Sequence, residues 1–356
     1  MQIRLATTAD NQKLLELSRQ TPMEGGLIVN VERNPDYFQL ANLQGEDARV
    51  LVAEDQGNLL GAIGCARRVV DLAGKPTPIA YLGGIKLVAA ARKGTTAYRL
   101  VKALYDYLLT TDVQYGLLLV MAGNRAMEAL LGGRAGIPRF YPITTFSLYY
   151  CMTGYFPMMK SGVTIRPATP ADEAQLFDLW QHFYQPFELK PIDLVAAWRR
   201  ILNEPAFGLA NFLIAEKAGR LLAAISTWDQ RSFKQTVVAD YGKSLAVLTA
   251  PLRWLDLLPQ PGIPIRDLQI RHLVYVPEGL SAARMLIRAV LQQARRRYQF
   301  VRLGSGNYYP SHLLKGIMRV KIPLRCYIAP REVTSQTIMI IQKLSRAFIY
   351  EDLSLH

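Results

Sequence analysis

Apolar and polar positions follow one order twice along this chain, at a constant offset. Ile3-Arg4-Leu5-Ala6-Thr7-Thr8-Ala9-Asp10, followed by Leu14 and Leu17, returns as Ile165-Arg166-Pro167-Ala168-Thr169-Pro170-Ala171-Asp172, followed by Leu176 and Leu179. Leu51-Val52-Ala53-Glu54, with Gly57 to Ile63 behind it, returns as Leu213-Ile214-Ala215-Glu216 with Gly219 to Ile225. The period is far longer than that of solenoid repeats, so each copy is expected to be a whole domain. The expected units are 1–155 and 163–356, with a boundary near Gly154 to Gly162.

Within each copy the pattern predicts a short strand, then a helix that starts at the Thr-x-Ala-Asp cap. A hairpin follows, its first strand ending in Ala-Glu before a glycine turn. In the first copy a strand from about Ile79 to Val88 leads through a loop to a helix, Thr96 to Leu109, with Leu100, Val101, Leu104 and Leu108 at helical spacing. An apolar strand, Gly116 to Ala122, a helix, Arg125 to Leu131, and a returning segment, Phe146 to Cys151, complete it. The second copy repeats the order as Leu268 to Val276, Ala283 to Ala294, Phe300 to Gly304 and Tyr309 to Ile317. It also carries an insert around 235–262, which includes the apolar stretch Leu245 to Leu258.

Half of the 356 residues are hydrophobic, which fits a globular chain with room for two cores. Apolar runs fall short of a membrane span, and the strand pattern starts at Gln2, so neither integral membrane association nor a signal peptide is expected. Cys65, Cys151 and Cys326 lack metal-ligand spacing, and with four histidines no metal site is expected. A reducing cytoplasm is the expected compartment. The net charge of +14 is uneven: 17 basic against 13 acidic residues through Lys160, then 25 against 15. The densest cluster, Arg295-Arg296-Arg297, reads either as a solvated helix end or as a contact for a phosphate-rich partner.

This order of elements resembles the GCN5-related N-acetyltransferase superfamily, and the duplication resembles its tandem bacterial members. The segment Tyr81 to Val88, Ala89 to Lys93 and Gly94 to Ala97 is similar to the family's coenzyme motif, with Arg92 at the first motif position and Ala97 at the last. The Pro22-Met23-Glu24-Gly25 turn and the run Asn34 to Phe38 also resemble the tandem subgroup. The resemblance implies an α/β fold of two tandem domains, each a mixed, mostly antiparallel sheet flanked by helices. It implies acetyl-CoA as co-substrate, held by Leu87, Val88, Arg92, Lys93, Gly94, Thr95, Thr96, Ala97 and Asn124. Independently of the family, a helix N-terminus preceded by small and basic residues suits a pyrophosphate. Thr95 departs from the motif, which prefers glycine there.

The second copy's loop, Val276 to Ala283, lacks a basic residue before its helix, carries Glu278 where phosphate would lie, and reads as one residue shorter. It is expected to have kept the fold and lost the coenzyme, leaving the insert as a candidate wall for the acceptor.

By the resemblance, an acceptor amine attacks the thioester directly, and the strand near Leu87 supplies an N–H group to the oxyanion. Tyr81 stands where other members carry a strand glutamate. It either orients an acceptor or a water, or packs on the core as a strand aromatic. Glu24 recruits the amine or is a surface acid. The family's general-acid tyrosine is replaced by Leu131, and by Leu314 in the second copy. His272 is either a catalytic group of that copy or a hydrogen-bonded strand residue. The resulting expectation is transfer of an acetyl or other short acyl group to a primary amine on a small molecule or peptide. A non-catalytic acyl-CoA-binding scaffold and a nucleic-acid-associated basic protein are the alternatives, the latter lacking aromatics beside its arginine run.

Overall fold

The computed structural model describes residues 1–23, 28–92, 94–133, 136–156, 162–254 and 256–356. The first half contains β1 (Gln2–Leu5), α1 (Asn11–Gln20), β2 (Ile28–Glu32), α2 (Gln39–Gln44), β3 (Asp47–Asp55), β4 (Asn58–Leu72), β5 (Lys75–Leu87), α3 (Thr96–Leu109), β6 (Tyr115–Met121), α4 (Arg125–Leu130) and β7 (Tyr141–Met152). The second contains β8 (Thr164–Pro167), α5 (Glu173–Tyr184), β9 (Phe187–Glu188), β10 (Lys190–Pro191), α6 (Leu194–Leu202), β11 (Phe212–Lys217), β12 (Arg220–Trp228), β13 (Gln235–Asp240), α7 (Gly242–Trp254), β14 (Asp267–Tyr275), α8 (Leu280–Ala294), β15 (Phe300–Ser305), β16 (Arg319–Pro330), α9 (Ser335–Leu344) and β17 (Phe348–Ile349).

The repeated text at the start of each half builds the same clasp. Both terminal nitrogens of Arg4 donate to Asp10 at 2.8 Å while its Nε donates to Glu54 at 2.8 Å. Arg166 holds Asp172 at 2.8 Å and Glu216 at 3.2 and 3.0 Å in the same way. Each clasp ties the helix start to the strand beside it, and Thr7 and Thr169 complete capping boxes there. Helices cover both faces of the sheet. Leu14 and Leu17 of α1 pack on Val50, Val52 and Ala62, whereas Leu100 and Leu104 of α3 pack on Leu51, Ala53 and Ile63 from the other side. Full burial of each such leucine contributes about 1.5–3 kcal/mol.

One sheet runs through both halves in the order β1-β3-β4-β5-β6-β16-β7-β15-β14-β12-β11-β8. Its centre is an exchange. β16, from the second half, pairs with β6 of the first from Leu324–Met121 to Pro330–Tyr115. β7, from the first half, pairs with β15 of the second from Phe300–Met152 to Ser305–Ser147. The exchanged strands run antiparallel to each other along most of their length. A second bond between halves joins β13, from the expected insert, to β2.

Tyr309 to Ile317, the counterpart of α4, forms successive turns, with Leu313 donating to the Pro310 carbonyl and Ile317 to that of Leu314. Pro310 and the left-handed Gly316 (φ 81°) interrupt any helical period there.

Candidate functional site

β5 and β6 pair in parallel only at Ile79–Tyr115, Ala80–Gly116 and Tyr81–Leu117. β5 nevertheless continues to Leu87 and β6 to Met121, so the two strands part and leave a gap. A bulge in β5 marks the parting. Gly83 opposes Gly64 and Lys86 opposes Ala62, so Gly84 and Ile85 together stand over Ile63. Such an extra residue bends its strand and raises its twist. Gly84 adopts φ 66°, and a Cβ there would sit 3.4 Å from an Arg33 guanidinium nitrogen. The bulge keeps Ile85 and Leu87 on the α3 face with Ala80 and Leu82. On the opposite face Lys86 donates to the Thr21 carbonyl at 3.2 Å, and burial together with Arg33 and Arg92 brings its ammonium down to about 8.

At the open end of the gap, the Val88 N–H donates to the Leu60 carbonyl at 3.0 Å. Strand alternation then turns the Leu87 N–H and C=O the other way, toward the gap, and the Leu87 carbonyl accepts from Arg92 Nε at 3.3 Å. Arg92, Gly94 and Thr95 are exposed, and a Cβ on Gly94 would meet no atom within 4 Å. α3 starts at once behind this loop, with no side-chain hydrogen bond from its N-cap residue Thr95. Its first N–H groups have no intrahelical acceptors, and its dipole adds partial positive charge. Thr96 is buried and Ala97 half-buried. Leu87, Val88, Arg92 and residues 94–97 therefore share one end of the gap. Asn124 stands past the end of β6, where its Oδ1 accepts from the Met127 N–H at 3.2 Å and caps α4. Lys93 and Glu24 lie outside the described residues.

Tyr81 marks the closed end. Burial, then the charge of Glu351, push its hydroxyl well above the usual tyrosine range, so the ring is neutral. Its centroid lies 4.5 Å from that of His356. This contact belongs to a polar cluster that the sequence reading missed. Glu351 is buried, pairs with Arg68, and lies 2.9 Å from His356 Nε2. Burial alone would raise its carboxyl, yet Arg68 and His356 hold it down to about 2. Lys234 donates to the main-chain oxygens of Ser354 and His356 at 3.1 and 2.5 Å. Burial, then the Arg302 charge, drive the Lys234 ammonium well below its ordinary value. The signal in the sequence was the acidic pair Glu351-Asp352 set inside the apolar run Phe348 to Leu355.

The matching gap in the second half is filled. β14 and β15 pair from Asp267–Phe300 to Ile270–Leu303. Beyond this, the Tyr309 hydroxyl donates to the Leu273 carbonyl, and Leu353 packs so closely on Gly304 that a Cβ there would fall 2.4 Å from it. The connection before α8 spans only 276–279 against 88–95 before α3, so it is four residues shorter rather than the one the sequence predicted. The reason is close packing: a Cβ on Gly279 would lie 2.2 Å from the Leu222 carbonyl oxygen. Glu278 pairs with Arg220 at 2.6 Å. His272 is buried and accepts from Trp180 Nε1 at 3.4 Å; burial and Arg271 bring it down to about 3. It lines a cavity of about 20 Å³ with Tyr184, Tyr308, Tyr350 and Asp352, room for about one water. Leu131 and Leu314 are both buried in apolar clusters.

No family model matches the chain, and no curated protein matches its sequence. Solved structures do match its fold. Saccharomyces cerevisiae N-myristoyltransferase with bound myristoyl-CoA is 11% identical with a TM-score of 0.61, covering 93% of this chain and 79% of its own. A conserved Enterococcus faecalis protein of unknown function, described as a probable N-acyltransferase, is 10% identical with a TM-score of 0.53, covering 93% and 73%. A GCN5-related N-acetyltransferase from Anabaena variabilis is 12% identical with a TM-score of 0.51, again covering 93% and 73%. The fold is thus that of the GCN5-related N-acyltransferases, a mixed sheet flanked by helices. Among the described residues no helix is long and apolar enough to cross a membrane, and no group of three or more His, Cys, Asp or Glu side chains could hold a metal ion.

Proposed function

We propose that this chain transfers an acetyl or other short acyl group from acyl-CoA to a primary amine of a small molecule or peptide, in the cytoplasm, through the gap of its first half. The observation that carries this reading is the contrast between the two gaps. In the first, the strands part beside a basic loop and an open helix N-terminus. In the second, Tyr309 and Leu353 occupy the corresponding space. The myristoyl-CoA bound by the yeast protein supports an acyl-CoA donor.

In this reading, residues 1–155 form the acyl-CoA unit, and 163–356 a unit with a degenerate loop. Arg92, Lys93 and the N–H groups of 94–97 receive the pyrophosphate. The Leu87 N–H, turned into the gap, stabilises the oxyanion as the amine attacks. Tyr81 orients the acceptor at the closed end. A short acyl group fits that closure, because Leu82 Cδ1 lies 3.0 Å from where a Gly116 Cβ would be, with Phe140 at 3.8 Å. With Leu131 in place of a tyrosine, the departing thiolate takes its proton from the amine or from water.

Calorimetric titration with acetyl-CoA, followed by thiol release in the presence of primary amines, tests the reading. Saturable binding and amine-dependent thiol release are expected. A chain that binds no acyl-CoA would refute it.

A further inference from the structure

The strand position that carries a carboxylate in related enzymes is occupied here by a neutral tyrosine, so the reaction needs a proton acceptor from elsewhere. The segment after β17 brings one to that spot. His356 is 8% exposed and packs its ring against Tyr81. Its Nε2 is engaged by Glu351 at 2.9 Å, whereas its Nδ1 is buried with no hydrogen-bond partner. A buried polar atom without a partner is uncommon and asks for a reason. An imidazole held on one nitrogen by a carboxylate and left without a partner on the other has the donor-acceptor arrangement that proton abstraction requires.

We propose that His356 is the general base of the acyl transfer, accepting the acceptor's proton on Nδ1, and that Glu351 is its positioning residue. This inference rests on the acyl-transfer reading above. The acceptor arrives as an ammonium ion and gives one proton to Nδ1. Its freed lone pair forms the N–C bond at the thioester carbonyl. The tetrahedral adduct collapses, the C–S bond breaks, and its electron pair leaves on sulfur. The second nitrogen proton goes to that thiolate, and His356 returns its own proton to solvent. Glu351 stabilises the imidazolium while it exists. The Glu351 charge is itself fixed by Arg68, so the pair stays in register with β4. Lys234 and Arg302 hold the main-chain oxygen of His356 at 2.5 and 3.4 Å and fix where the ring stands.

The test uses the full chain, acetyl-CoA, and two probe amines, phenethylamine and a glycine-initiated tripeptide, with thiol release followed from pH 6 to 9. The charged and titratable groups around the ring are Glu351 on its own segment, Arg68 on β4, Tyr81 on β5, Lys234 just before β13, Arg302 on β15 and Cys326 on β16, with Arg33 beside Tyr81. His356→Ala and His356→Gln are expected to lower kcat at least 50-fold. They should leave acetyl-CoA affinity within twofold and abolish the rise of kcat/KM with pH that an imidazole gives. Glu351→Asp keeps a charge for Arg68 but withdraws it from His356, so kcat should fall while the acceptor KM holds. Circular dichroism confirms folding, and if His356→Ala fails to fold, His356→Gln decides. Wild-type turnover with an unchanged pH profile in the folded histidine variant overturns the inference and leaves the acyl-transfer reading standing. Loss of acetyl-CoA binding by the wild type sinks that reading instead, and this inference with it. Binding without thiol release from either amine overturns the inference as well.

Discussion

The rings of Tyr81 and His356 lie 4.5 Å apart, centroid to centroid, one on the strand that opens the gap and the other at the far end of the sequence. Their contact brings the last residues to the first half's candidate site, although nothing in the local pattern of either segment names the other. Both sit beside Glu351 and Arg68, so the electrostatics of the candidate site depend on elements from both halves.

Reversing the charge at Arg92 tests the coenzyme loop. Arg92→Glu should weaken acetyl-CoA binding at least tenfold, or ~1.4 kcal/mol. Isothermal titration of wild type and variant measures it. Equal affinities would place the pyrophosphate elsewhere.

The two halves should not bind alike. One acetyl-CoA per chain is expected, because the second gap is filled and its loop lies directly on Leu222. Glu278→Lys, which removes the unfavourable charge without emptying the gap, should leave the stoichiometry at one. A titration that saturates at two ligands per chain would show that the second half binds as well.

Tyr81→Phe keeps the ring against His356 and removes only the hydroxyl. Turnover should fall severalfold while acetyl-CoA affinity stays nearly intact, since the coenzyme loop lies at the other end of β5. Steady-state kinetics with the most active amine makes the comparison. Unchanged turnover would return Tyr81 to a packing role.

The Arg68–Glu351 pair predicts a pH dependence of stability. The Glu351 carboxyl is held down to about 2, against an ordinary value of 4.5. A depressed carboxylate contributes stability that is present above the unfolded value and lost as pH falls through the folded one. Urea denaturation should therefore show this contribution intact above about pH 5 and fading toward pH 2. At pH 7, Glu351→Gln leaves Arg68 buried without a counter-charge and should cost about 3–5 kcal/mol. A variant as stable as wild type at pH 7 would show the pair to be dispensable.

Much of the fold was legible because it rests on local periodicity. The duplicated clasp was visible as repeated text, and Thr96 to Leu109 emerged with the bounds read from its leucines. Strand exchange was not legible. Period-two alternation tells which face a residue buries but not which half's strand lies beside it, and Pro323 with the charges Arg319, Lys321 and Arg325 breaks up the apolar pattern of β16. The candidate coenzyme loop could be proposed from sequence because its residues are consecutive. The Glu351–His356 pair could not, because its meaning arises only when the chain's last residues meet β4 and β5.

The exchanged strands also bear on how such a duplication ages. A second copy that no longer binds coenzyme would ordinarily be free to decay or be deleted. Here it supplies β16, without which β6 would present a bare edge of backbone donors and acceptors at the very strand that borders the gap. If the first copy carries the proposed chemistry, selection for it preserves β16, whatever else the second copy does. Gene truncation between the halves yields two incomplete sheets, each with an open slot for the strand it has lost. Co-produced as separate polypeptides, the halves should reassemble by filling those slots, so the partnership would outlast the covalent link.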